Sequence, residues 1–303
     1  MFKRILALFL TVMTLCTALT SACAESEIEN ALEWSADSLL TLLLYKDNVT
    51  LEGHAEFALD GEHFKTADTL YIQDEYNSSW DWNLLTPRAD GTEREGGWTI
   101  VANDDLVYVI EAYTPGVYRT GTTAASRSIL RDSVQLEVMT GLLRTLAEWG
   151  DMALDEGAVT ADWDNGMTVR LKLGQDAPAL VDLGLNLAAQ YLAKRLFGLD
   201  YDQIGSVDSQ PMSSYITVTQ GILGSTRSFN LLEADVTLRS GADGTFEEAS
   251  GTASVLLNTE WDGVRTLDVT FSLRASDYDV SAVPDFDPAA YGVTLAEDSV
   301  RFD

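Results

Sequence analysis

Turn-forming dipeptides recur along this chain between segments of strand-like composition: Asp60-Gly61, Asp90-Gly91, Asn103-Asp104, Asn165-Gly166, Asp243-Gly244 and Asp262-Gly263. Asn-Gly and Asp-Gly accept positive φ at little cost, and tight hairpins require it. A chain punctuated in this way folds into antiparallel meanders. Parallel strands would need long crossover connections instead.

Pairing apolar residues across each turn predicts registers. A two-residue turn at Asp60-Gly61 sets Phe57 against Phe64, Leu51 against Leu70 and Val49 against Ile72, with Glu56 opposite Lys65 on the other face. A three-residue loop at Asp164–Gly166 sets Trp163 against Met167, Ala161 against Val169 and Val159 against Leu171. The same loop at Trp261–Gly263 sets Leu257 against Leu267, Val255 against Val269 and Ala253 against Phe271. Both loops place a glycine in the left-handed region.

Helical periodicity lies elsewhere. Ile28, Leu32, Leu39 and Leu43 form one stripe over residues 27–45. Leu130, Val134, Val138, Leu142 and Leu146 form another over 127–149, and Val181, Leu185, Leu192 and Leu196 a third over 176–197. Each offers a broad apolar face to a sheet, and none is apolar enough all round to span a membrane. In the less regular stretch from 199 to 228, Tyr215–Val218 reads as a strand. The segments around Ile100 and Tyr108 are apolar on both faces, so this strand pair is expected to be covered twice. Helices are expected on one side; on the other the candidates are the tail after Val283, an association partner or a ligand.

The amino terminus reads as an export signal over residues 1–24. Lys3 and Arg4 precede an uncharged run that ends in small residues. Two processing outcomes stay open. Cleavage after Ala24 releases a chain beginning at Glu25, whereas cleavage before Cys23 leaves a cysteine for acylation and a lipid anchor. The cysteines are Cys16 and Cys23, so a processed chain is expected to have no internal disulfide. Residues 25–303 carry no low-complexity linker and no repeat and are read as a single domain.

The formal net charge of −29 repels phosphate backbones and anionic membrane surfaces, which argues against nucleic acid as a partner. The two histidines, His54 and His63, leave the polar face of the first hairpin about 13 Å apart, too far to share a metal ion or act as a pair. There is no zinc-type cysteine pair, no phosphate-binding glycine loop and no Gly-x-Ser-x-Gly elbow. Asp162-Trp-Asp164-Asn165-Gly166 lacks the spacing of a calcium loop, with Lys172 where the bidentate glutamate belongs. Trp80 and Trp82 share one strand face with Tyr76, and fit a sheet core or a sugar-stacking surface.

"GGWTIVANDDLVYVIE" has the form of a strand, a tight turn and a Tyr-bearing strand, and "LDVTFSLRASDYDVSAVPDFD" closes a sheet with an Asp/Tyr-rich exit at Pro284. Over residues 49–118 and 229–287 the pattern resembles the lipoprotein-carrier-like half-barrel superfamily, which includes envelope lipoproteins of Gram-positive lineages. The resemblance implies a curved antiparallel sheet around an apolar, lipid-sized cavity, with helices on the concave face.

The expected fold is therefore α+β: a large curved antiparallel meander, half-barrel-like, with helices on its concave face. The expected function is that of an exported, non-enzymatic envelope or secreted protein binding a lipid-like or other apolar ligand between sheet and helices. Its lining residues would be Phe57, Phe64, Trp98, Ile100, Tyr108 and Ile110. Neither a metal nor a cofactor is expected. The alternatives are a cell-surface module that binds proteins or glycans and, third, a glycosidase using a carboxylate pair.

Overall fold

The computed structural model describes residues 48–74, 76–87, 91–103, 106–112, 115–122, 158–175, 226–259 and 263–296, together with the single positions 34, 35, 37, 38, 41, 42, 182 and 186. These residues form one open sheet with strand order β12-β6-β5-β4-β3-β2-β1-β11-β10-β9-β8-β7. The strands are β1 (Val49–Leu59), β2 (Glu62–Gln73), β3 (Ser78–Pro87), β4 (Glu93–Asn103), β5 (Leu106–Glu111), β6 (Val117–Thr122), β7 (Val159–Asp162), β8 (Gly166–Leu173), β9 (Thr226–Gly241), β10 (Phe246–Thr259), β11 (Val264–Ser276) and β12 (Thr294–Leu295). Every pairing is antiparallel except β12 with β6.

The α+β expectation is overturned. Seventy per cent of the described residues are strand, and no helix stands among the described elements to pack on the sheet. Period-two alternation of apolar and polar residues decides the fold wherever it occurs, because it sorts the strands into one buried and one wet face. The stripes over 127–149 and 176–197, the strand reading at 215–218 and the export signal with Cys23 lie outside the described residues, save for Asp182 and Asn186.

One row of side chains displays the buried face. Paired positions run Ala161, Val169, Leu238, Ala249, Leu273, Gly53, Thr69, Trp82, Trp98 and Glu111 across ten strands. Val169, Leu238, Ala249 and Leu273 are buried, as are Leu51, Val236 and Leu171 in the adjoining rows. Each large aliphatic so buried contributes about 1.5–3 kcal/mol. Trp34 and Leu42 join this core from the amino-terminal segment, where Ser240 Oγ donates to Ser38 Oγ at 2.8 Å.

The opposite face carries charge. Arg170 grips Asp235 with two hydrogen bonds of 2.7 and 2.6 Å, and Lys172 lies 3.7 Å from the same carboxylate. The Arg170 guanidinium holds the Asp235 carboxyl below its usual value. Exposed pairs of this kind contribute at most about 1 kcal/mol each.

The first hairpin departs from its expected register. Asp60 and Gly61 form the two-residue turn with φ of 53° and 80°, and Leu59 and Ala58 pair with Glu62 and His63 as expected. A bulge at Phe57/Ala58 then moves every later pair by one residue, to Phe57↔Lys65, Leu51↔Tyr71 and Val49↔Gln73. The shift puts Leu51 and Tyr71, both buried, on one face. The second predicted loop pairs Ala161↔Val169 and Val159↔Leu171, as read. The third hairpin gives Leu257↔Arg265, Val255↔Leu267 and Ala253↔Val269, two residues away from the pairs read. This slip of two residues preserves the faces. Gly166 and Gly263 have φ of 133° and 74°.

Candidate ligand-binding face

Trp80 and Trp82 sit two residues apart on β3 and so point to the same side. Across β4, Ile100 pairs with Trp80 and Trp98 with Trp82; across β2, Tyr71 pairs with Trp80. The three indoles touch. Trp80 stacks on Trp82 with centroids 5.2 Å apart, and Trp98 stands edge-on to both, at 4.7 Å from Trp82 and 5.7 Å from Trp80. Each such contact is worth about 0.5–1.5 kcal/mol beyond area burial.

Local backbone makes the cluster fit. Gly97, directly before Trp98, has φ of 122°, and a Cβ there would lie 1.8 Å from the Trp82 carbonyl oxygen. Only glycine lets β4 come this close to β3 in that conformation. Gly53 leaves room on β1, where a Cβ would press 2.7 Å from Thr69 Cγ2. Thr69 Oγ1 in turn accepts a 2.6 Å hydrogen bond from Trp80 Nε1.

The members differ in cover. Trp80 and Tyr71 are buried, whereas Trp82, Trp98 and Ile100 are half-buried. Trp98 Nε1 is enclosed, yet its N–H has no hydrogen-bond acceptor. An enclosed donor left without a partner costs about 1–3 kcal/mol. Glu111, paired with Trp98 across β5, is a buried carboxylate on the same face. Tyr71 OH donates to Gln73 Oε1 at 2.6 Å, and burial pushes its phenol above the ordinary range.

The six residues expected to line a cavity divide between the two faces. Trp98 and Ile100 belong to the indole cluster. Phe57 packs against the same core further along β1, and its ring lies 6.2 Å from that of Phe64, which the bulge brings to Phe57's side. Beside them burial holds the Lys65 amine below its usual value. Tyr108 and Ile110 face the other way, because Val101↔Tyr108 and Ile110↔Tyr118 make up the opposite side of β4–β6. There the tail covers them. Phe286 lies against Tyr108 and Tyr118, and Val283 and Val293 are buried. Thr294 N and Ala296 N donate to Gly116 O and Tyr118 O.

Trp80 and Trp82 turn to the covered face, and Tyr76 lies outside their strand in the β2–β3 turn, 62% exposed. His54 and His63 both lie on the wet side. His54 Nδ1 lies 2.6 Å from Asp68 Oδ1, and His63 Nε2 lies 3.0 Å from Thr66 Oγ1. The Asp68 hydrogen bond outweighs desolvation and raises the His54 pKa. An open hollow of about 330 Å³ lies beside His54, lined by Glu52, His54, Glu248, Ser272 and Arg274 with Gly53 and Leu273. It is polar and on the face away from the indoles, so it does not suit an apolar ligand. Among the described residues, no group of three or more His, Cys, Asp or Glu side chains converges as a metal site.

The sequence reading missed Gly97 and the Thr69–Trp80 bond. Gly96-Gly97 inside a strand pattern was the available sign of the first, since glycine there marks a close backbone approach. No family model matches this chain, and no curated protein matches it. Among solved structures it has a weak, low-identity match to a LolA superfamily protein from Nitrosomonas europaea, with 10% identity, 85% of this chain and 95% of that chain covered, and a TM-score of 0.22. A DUF1329 family protein from Desulfovibrio piger matches at 8% identity over 87% of this chain and 96% of that one, with a TM-score of 0.14.

Proposed function

We propose that this chain is an exported, non-enzymatic protein of the envelope or exterior that holds an apolar ligand against the tryptophan face of β2–β4. Residues 1–24 serve as its export signal, Cys23 is its lipidation site if it is anchored, and residues 25–303 are one domain. The observation that carries the reading is the indole cluster itself. Trp82 and Trp98 keep part of their surface uncovered on a mainly apolar face that also carries the buried Glu111, and Trp98 holds an enclosed N–H with no acceptor. Binding sites for small apolar molecules combine apolar and aromatic walls with a few placed polar groups. Trp80 is only 4% exposed, which leaves the glycan-stacking alternative without its first platform.

The test is organic extraction of the purified mature protein followed by mass spectrometry, alongside quenching of tryptophan emission by a spin-labelled fatty acid. A co-purified amphiphile, and quenching that is weakened in Trp98→Phe, are expected. A protein that yields no extractable molecule and whose emission the fatty acid leaves unchanged would end the proposal.

A further inference from the structure

The polar hollow of about 330 Å³ opens over β1, β10 and β11, on the face away from the indoles. Three charged residues stand in line across it. Arg274 on β11 pairs with Glu52 on β1 and with Glu248 on β10, so the three side chains leave one face at steps of about 5 Å. Elsewhere on this face opposite charges close on one another. Arg170 meets Asp235 at 2.6 Å, and Arg239 reaches Glu247 at 3.4 Å. Glu247 is skipped in the pairing of β10 with β9, and by taking up Arg239 it leaves Glu248 to the hollow. Among the described residues, the side chains of Arg274, Glu52 and Glu248 make no hydrogen bond and no ion pair. In the next row Ser272 pairs with His54, whose Nδ1 lies 2.6 Å from Asp68 Oδ1 on β2. That contact holds the imidazole on the β2 side, so a short serine side chain is what stands on β11 beside Arg274.

We propose that this hollow binds a free dibasic amino acid such as lysine, its carboxylate on Arg274 and its two ammonium groups on Glu52 and Glu248. Two carboxylates against one guanidinium leave the line with one negative charge. A ligand with one carboxylate and two ammonium groups balances it. His54 does not enter this count, because Asp68 and Glu56 lie beside it. A guanidinium takes a carboxylate through two parallel hydrogen bonds, which sets the ligand's direction. The glutamates rise two inter-strand steps apart, about 10 Å at the backbone, one on either side of the bound carboxylate. An extended dibasic side chain runs from the carboxylate toward the second glutamate. The Ser272 hydroxyl adds a donor beside Arg274. An anion would meet a glutamate on each side and a chain of net charge −29, whereas a plain diamine would leave Arg274 facing cations. Exposed charges hold a partner weakly one at a time, so the three contacts must act together. This site stands independently of the apolar ligand.

Titration calorimetry of the full-length mature protein with L-lysine, cadaverine and L-norleucine tests the proposal. Cadaverine lacks the carboxylate, and norleucine lacks the side-chain ammonium. Saturable binding of L-lysine is expected, about tenfold or more tighter than either control. Arg274→Gln should remove the advantage over cadaverine. Glu52→Gln and Glu248→Gln should each weaken L-lysine by about tenfold. None of these side chains holds a neighbour, so the variants should melt with wild type. Wild type that shows no saturable binding of L-lysine overturns the proposal. So does cadaverine or norleucine that matches L-lysine on wild type, or L-lysine binding that Arg274→Gln or both glutamate variants leave unchanged. Should a variant not fold, the ligand series on wild type decides alone.

Discussion

Phe286 lies flat on Tyr108, with ring centroids 4.2 Å apart and planes inclined by 17°. The contact joins the carboxy-terminal segment to β5, and Tyr118 at 5.1 Å and Tyr291 at 5.5 Å complete the stack. It explains why β4 and β5 are apolar on both faces: one side meets the indole core and the other meets the tail. Phe286→Ala is expected to cost about 2 kcal/mol, below the range for fully buried phenylalanine because this ring is half-buried. Urea unfolding measures the cost. Limited proteolysis should cut the variant between Val283 and Thr294 before it cuts wild type.

Asp74 anchors the same tail. Its carboxylate accepts the backbone N–H groups of Val283 at 2.9 Å, Tyr76 at 2.9 Å and Asn77 at 2.7 Å. Burial alone would raise its pKa, but these donors outweigh burial and lower it. A carboxyl lowered on folding adds stability that is fully present above its unfolded pKa and is lost as pH falls through the folded value. The anchor should therefore hold at neutral pH and fail only in acid, below about pH 4. Asp74→Asn should flatten that acid limb in a series of melting curves. An unchanged limb would assign the acid sensitivity to other carboxylates.

At His54 the sign is reversed. Its pKa is raised, first by the hydrogen bond to Asp68 and with help from Glu56 against desolvation. The stabilisation is fully present below the unfolded histidine pKa, near 6.5, and fades as pH rises through the folded value. The site is exposed, so the effect is less than about 1 kcal/mol. Titration of the imidazole by NMR should give a midpoint above 6.5 that falls in Asp68→Asn.

Gly97→Ala should be among the most damaging single-methyl additions in the sheet. The new carbon would meet the Trp82 carbonyl at 1.8 Å, at a φ of 122° that alanine avoids. At Gly61 a Cβ meets nothing within 4 Å, although φ is 80°. Gly61→Ala should then cost only the backbone penalty of about 1–2 kcal/mol. Parallel thermal melts separate the two. Equal losses would show that the contact with Trp82 does not matter.

Much of the sheet is legible residue by residue. Asx-Gly pairs mark the turns, and the alternation in Val159–Leu171 fixes Ala161 opposite Val169. The bulge at Phe57/Ala58 is not legible, because Phe57 against Phe64 is as good a local match as the observed Phe57 against Lys65. Only burial of Tyr71 beside Leu51, settled by the wider core, decides between them. The candidate face was half visible. Trp98 and Ile100, two residues apart, share one side of β4 as strand alternation requires, but nothing local places Tyr108 and Ile110 on the other. A strand apolar on both faces does not say which layer covers which. The helical stripes fall almost wholly outside the described residues; positions 34, 35, 37, 38, 41, 42, 182 and 186 within them are helical, while every described element is a strand.

β1 lies mid-sheet between β2 and β11, though it is the first described strand and β11 the last long one. A hydrogen bond from Thr266 N to Asp60 Oδ1 crosses this junction and joins positions 206 residues apart. The β1–β6 meander can assemble by itself as the chain is made, but the seam to β11 must wait for nearly the whole polypeptide. Contacts this remote in sequence slow folding, to milliseconds or longer in order of magnitude. Until the seam closes, β1 is a naked border open to wrong partners. A newborn copy of this chain is therefore most vulnerable to aggregation just before its last hairpin arrives.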